Sequence, residues 1–294
     1  LLKSPSRPVA LALMIVAPAL WSIAGVLTRQ VERAHSFELV FWRSVFAGIT
    51  VAVALVLLNG RGAMGKVFAS GRAGLLSGAL WATMFTCFMI ALTLTTTART
   101  LVVSSLAPLF TALLAWAWLN ERVARRTWIA IAVAAVGMAV MFREGLNAGG
   151  TNMLGTLVAL GVPLASALNV TTLRRVGASI DLLPAVLIGA ALSAAVALPL
   201  ALPLVATPRD LALLAVLGVF QLGIPCMLLV VASRSLAAAE VGLLALIEVL
   251  LGPLWAWLGA DEVPALETLL GGALVLAALI VNLLLAPRRT AVPA

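Results

Sequence analysis

Few side chains in this sequence can do chemistry, and most of them lie inside apolar runs. Glu248 is the only acidic residue within such a run. Trp21, Ser22, Trp81, Met84, Ser105, Asn169 and Gln221 are the other polar, aromatic or polarisable groups placed to meet a solute there. Together they offer hydrogen bonds, aromatic contact and one negative charge, which is the chemistry of holding a small molecule. Bond-breaking chemistry is not supported. The sequence has no HExxH, no GxSxG and no GxxxxGK[ST], and its single histidine, His35, falls in a loop where it is expected to be solvated. Cys87 and Cys226 lie deep in apolar runs without a CxxC partner, so neither redox nor zinc chemistry is expected. No cofactor and no enzymatic activity are expected.

The elements that must position these residues are ten apolar runs: Val9–Thr28, Leu39–Leu58, Ala73–Leu94, Leu101–Leu119, Trp128–Phe142, Leu154–Leu173, Leu183–Val205, Leu211–Ala232, Val241–Leu258 and Thr268–Ala286. Most approach the ~20 residues that a helix needs to cross a bilayer. The 294 residues are 63% hydrophobic and 10% charged, with a mean hydropathy of +1.17, which excludes a soluble globule. The expected fold is an all-α integral membrane protein of ten transmembrane helices. Residues 1–147 and 148–294 form two five-helix repeats around a central cavity. Five spans per half is an odd number, so the second half enters the bilayer inverted. Inverted halves of this kind bind substrate near the midplane between them.

The net charge of +8 fits topology better than nucleic acid. With the N-terminus cytoplasmic, thirteen cations face inside: Lys3, Arg7, Arg61, Lys66, Arg72, Arg122, Arg125, Arg126, Arg174, Arg175, Arg234, Arg288 and Arg289. Five face outside: Arg29, Arg33, Arg99, Arg143 and Arg209. That bias predicts a multi-pass protein of a bacterial-type cytoplasmic (inner) membrane with both termini cytoplasmic. The opening LLKSPSRP does not look like a cleavable signal.

A shift of 141 positions overlays the fourth and fifth runs on the ninth and tenth. Trp116 and Glu121 then meet Trp257 and Glu262, and Thr127 meets Thr268. A shift of 145 brings Pro18 and Arg29 onto Pro163 and Arg174. Paired prolines at equivalent depth mark broken spans, where a binding site is expected.

At these residues the chain resembles the drug/metabolite transporter superfamily, in its ten-helix EamA branch. The stretch Ala107-Pro108 through Trp116 to Asn120-Glu121, its counterpart Ile247-Glu248 through Trp257 to Asp261-Glu262, and Phe41-Trp42-Arg43 carry the resemblance. Within the branch the chain looks most similar to YddG-type (aromatic) amino-acid exporters. The family's Glu-Pro in the ninth span is Glu248-Val249 here, with the proline later at Pro253, so the helix break there is expected to be displaced. The resemblance implies a secondary transporter exporting aromatic and other neutral amino acids by alternating access. Ten spans can enclose a cavity in one chain, so a monomer in the lipid bilayer is expected. Export of another metabolite or a cationic drug is the alternative; a non-transporting membrane scaffold is a third.

Each candidate has two uses. A central carboxylate costs about 2.5–3.5 kcal/mol on insertion scales. Glu248 therefore either meets a substrate ammonium or proton, or is a buried packing group paired with Arg43. Arg43, five residues into its run, is a gating or structural ion pair, a substrate-carboxylate contact, or a side chain snorkelling to the interface. Arg99 and Glu240 are expected as solvated interfacial charges. The polar groups are interhelical glue or ligands. Pro18, Pro108, Pro163, Gly252 and Pro253 are expected to shape or gate the helices.

Overall fold

The computed structural model describes residues 5–120, 122–147, 151–176, 182–236 and 238–285, and these are helical with short connections. Nine helical segments among them are long and apolar enough to cross a membrane: Arg7–Arg29, Ser36–Asn59, Gly71–Leu94, Thr97–Leu119, Met153–Thr172, Leu183–Ala201, Pro208–Ala232, Glu240–Ala260 and Leu266–Leu284. Arg125–Asn147 forms the remaining helix of the expected ten, the fifth in order, and lies along the tenth span. Glu121, with part of the expected repeat motif, lies outside the described residues, as do Ala148 and the terminal cations Lys3, Arg288 and Arg289. The side chains of Arg143, Arg174 and Arg175 do so too.

Four spans are broken. The first splits into Arg7–Trp21 and Ala24–Arg29, the fourth into Thr97–Ser104 and Ala107–Leu119, and the sixth into Thr151–Ala159 and Gly161–Val176. The eighth runs as an α-helix over Pro208–Val216, a π-helix over Leu217–Gly223 and an α-helix over Ile224–Ala232. Proline explains where three of them restart. Pro108, Pro163 and Pro225 stand in the first turn of the new helix, where a missing N–H is harmless. The expected break at Pro253 does not occur: Ala238–Ala260 is continuous through it. Gly252, just before, lies against Leu101 of the fourth span, so packing holds the helix in place.

Two non-glycine residues among those described adopt the left-handed conformation, Asn120 at φ 52° and Asp261 at φ 51°. They are 141 positions apart, the same shift that overlays the runs. Asn and Asp tolerate this conformation better than other side chains, and both follow the last residues of a long helix. The helix packing has the same exchange symmetry. The first span packs on the eighth and ninth, and the sixth on the third and fourth. The second and seventh pack on each other, as do the fifth and tenth.

The fifth and tenth helices approach most closely at Gly137 and Gly271. A Cβ on Gly137 would lie 2.6 Å from the Gly271 carbonyl oxygen. Backbone cannot yield there as a flexible side chain would. Gly137→Ala should therefore destabilise the protein by about 1–3 kcal/mol, read as a lower unfolding midpoint in detergent. An unchanged midpoint would show that the contact is loose.

Polar ties mark the two ends of the bundle. At the near end, Ser235 Oγ donates to the Pro5 carbonyl at 2.8 Å, Arg7 pairs with Glu240 at 2.6 Å, and Arg126 bonds the Leu285 carbonyl. At the far end, Asp210 accepts from the Glu32 and Arg33 amides at 2.9 and 3.2 Å. Glu38 accepts there from the Val205 and Ala206 amides. Trp116, Trp118, Trp128, Trp255 and Trp257 are exposed toward the bundle's outer surface, as an aromatic belt requires. Arg99 departs from expectation: it is 1% exposed, not a solvated interfacial charge.

Candidate functional site

A cavity of about 320 Å³ lies in the middle of the bundle. It reaches the near end, where Val241 and Leu283 line it close to the helix ends. Of the eight expected contact residues, Trp21, Trp81, Met84, Ser105, Gln221 and Glu248 line it. They come from the first, third, fourth, eighth and ninth spans, so the bundle converges chemistry that is far apart in sequence.

Ser22 and Asn169 do not line the cavity. Ser22 sits in the break of the first span, where its hydroxyl donates to the Ala19 carbonyl at 2.7 Å and accepts from Trp255 Nε1 at 3.0 Å. It ties the first span to the ninth. Asn169 is buried, with its Oδ1 lacking a hydrogen-bond partner. Ser166, one turn earlier, lines the cavity instead.

Arg43 is the main surprise. It does not snorkel: it is 2% exposed and lines the cavity. Its helix starts at Ser36 rather than Leu39, and the buried Glu38 next to that start is held by backbone amides. Arg43 therefore lies two full turns inside the helix. Its Nε donates to Gln221 Oε1 at 3.0 Å, its Nη1 reaches the Phe85 carbonyl at 3.4 Å, and its guanidinium lies 5.7 Å over the Phe88 ring. No ion pair joins it to Glu248, which lines the same cavity half-buried.

Gln221 is held in turn by the broken first span. Its Nε2 donates to the Trp21 carbonyl at 3.3 Å. That carbonyl is an orphan of the helix end, and in lipid such a group must be satisfied by protein. The π-helical turn carrying Gln221 sits tight against the second span. A Cβ on Gly218 would lie 2.7 Å from the Arg43 carbonyl oxygen. Single π turns inside α-helices are frequent at functional sites.

Pro18 lies four residues before the break in the first span, and Pro108 lines the cavity at the start of its helix. Pro163 is buried where the second piece of the sixth span begins, outside the lining, as are Gly252 and Pro253. Sequence reasoning missed Met14, Phe85, Phe88, Leu101 and Cys226, all of which line the cavity. No sequence signal separates them from apolar residues facing lipid.

Apolar helices packed around a central cavity lined by a carboxylate, a guanidinium and several rings define a class: multi-span helical membrane proteins with an internal cavity. Residues 8–143 match the EamA-like transporter family. The chain is 30% identical over 203 residues to an S-adenosylmethionine uptake transporter of Rickettsia prowazekii (strain Madrid E), a match covering 67% of this chain. It spans 66% of that relative's length. A protein of known crystal structure shares the fold with a TM-score of 0.67 at 21% identity, over 97% of this chain and 100% of that one. Both the matched family and the Rickettsia prowazekii relative are described as transporters.

Proposed function

We propose that the protein is a secondary transporter of amino acids, aromatic and other neutral ones, moved by alternating access between two inverted halves. Export is the direction implied by the family resemblance. One observation carries the proposal: the cavity extends toward the near end of the bundle, and Glu248 stands in it among Trp21, Trp81 and Phe88. A carboxylate suits a substrate ammonium, and the rings suit an apolar or aromatic side chain. The left-handed pair Asn120 and Asp261 and the exchanged helix packing support the inverted halves. Membership in a bacterial-type cytoplasmic membrane with both termini inside, and a monomeric state, belong to the same proposal. One chain encloses the whole cavity.

The relative's name favours a second substrate, S-adenosylmethionine, which is itself an amino acid with an added cation and a flat ring. Uptake of labelled amino acids and of S-adenosylmethionine into proteoliposomes, with and without a pH gradient, tests both. Native protein should move at least one of them. Glu248→Gln should slow that flux by about tenfold or more, since a charge-assisted contact of about 1.5–3 kcal/mol is lost. Flux retained in the variant would return Glu248 to a packing role. No flux of either kind would reject the substrate class.

A further inference from the structure

Arg43 is a buried cation that the protein leaves under-satisfied on one edge. A guanidinium has five N–H donors in a rigid fork that matches a carboxylate. Here Nε is used by Gln221, and Nη1 makes only a long contact with the Phe85 carbonyl. Nη2 has no hydrogen-bond acceptor among the described residues. All these partners are neutral, and no carboxylate forms an ion pair with the group. Glu248 acts on it only electrostatically, from elsewhere on the cavity wall. A charge taken out of water at this depth is expensive unless an opposite charge joins it. Arg43 and Gln221 both line the cavity, so the missing anion has a place to enter.

We propose that Arg43 binds the carboxylate of the transported substrate, with Gln221 as the positioning residue that aims its guanidinium. Gln221 is 1% exposed and holds Arg43 through Oε1 and the Trp21 carbonyl through Nε2. Its amide thus fixes the guanidinium edge and links it to the break in the first span. With Glu248 on the same cavity, the ligand class is a zwitterion: carboxylate on Arg43, ammonium toward Glu248, body among the rings. This deepens the transport proposal and rests on it.

Three probes isolate the two charges: phenylalanine, phenethylamine (no carboxylate) and 3-phenylpropionate (no ammonium). Flux of each into proteoliposomes is measured for native protein, Gln221→Glu and Gln221→Leu. The readout is the ratio of phenylalanine to phenethylamine transport, which cancels differences in folded fraction. Native protein should prefer phenylalanine by about tenfold or more. Gln221→Glu places a carboxylate against Arg43 Nε, satisfies the cation internally, and should collapse that ratio. Gln221→Leu keeps the cation but not its aim, and should lower the ratio less while raising KM for phenylalanine. A native protein that moves phenylalanine and phenethylamine equally, with a ratio unmoved in both variants, overturns the anchor and leaves transport standing. A native protein that moves none of the three overturns the anchor together with the aromatic amino-acid reading.

Discussion

Asp210→Ala should lower the unfolding midpoint of the purified protein by about 10 °C. Asp210 is fully buried at the far end and carries no cation partner in its hydrogen-bond set. Its two oxygens accept from the Glu32 amide at 2.9 Å, the Arg33 amide at 3.2 Å and the Thr207 amide at 3.1 Å. Its own amide donates to Thr207 Oγ1 at 3.1 Å, which completes a capping box at the start of the eighth span. Alanine keeps the Thr207 cap, because the residue 210 amide still reaches Thr207 Oγ1, but it orphans the Thr207 amide and the Glu32 and Arg33 amides of a second loop. Each orphaned amide costs about 1–3 kcal/mol, so a total of about 3–5 kcal/mol is expected. Asp210→Asn keeps one acceptor oxygen and should recover part of the loss. A midpoint within about 2 °C of native in the alanine variant would mean that water replaces the carboxylate at no cost.

Glu262→Ala should open the far end. Glu262 Oε2 accepts from Arg29 Nε at 2.8 Å and from Thr97 Oγ1 at 3.0 Å, while its Oε1 takes the Thr97 amide. Arg29 Nη2 also donates to the Thr95 carbonyl at 2.7 Å. One carboxylate therefore ties the ends of the first and ninth spans to the turn between the third and fourth. Gly25 seats the first span directly on Thr97, and Gly259 lies against Val26. Breaking charge-assisted bonds of about 1.5–3 kcal/mol each should raise the population open at that end roughly ten- to hundredfold. A cysteine at Ser104, on the cavity wall of an otherwise cysteine-free protein, reports it. An impermeant thiol reagent added from the far side should label that cysteine faster by the same factor. Unchanged labelling would assign closure of that end to helix packing alone.

The fold was legible because lipid forces a simple answer: apolar runs of spanning length become helices. The depth of Glu248, Trp21 and Trp81 was legible for a related reason, since each interrupts an apolar run. Phe85, Phe88 and Met14 were not, because a residue facing lipid and one facing a cavity are equally apolar. Counted from Leu39, Arg43 is shallow enough to snorkel; its helix begins at Ser36 and the side chain is buried. The buried carboxylate of Glu38 hides the first helical turn from any hydropathy pattern. Arg99 was misjudged in the same way: a charge near a span end reads as interfacial, yet this one is buried. Asn169 and Ser22 are polar at the right depth, but depth does not fix direction around a helix. Pro253 was expected to mark a break, and the close seat of Gly252 on Leu101 keeps the helix intact instead.

The bond between Arg43 and Gln221 joins residues 178 positions apart. A ribosome adding about 5–20 residues per second needs on the order of ten to forty seconds to make that stretch. Throughout that interval the second span is in the nascent chain with its arginine, while the amide meant to hold it has not been translated. The early helices must therefore linger near the insertion machinery or in a loose, hydrated arrangement. The seventh span packs against both the second and the third, so it arrives as a wedge between helices already inserted. Biogenesis of this bundle is thus a problem of waiting, and its slowest partner is encoded in the order of the gene.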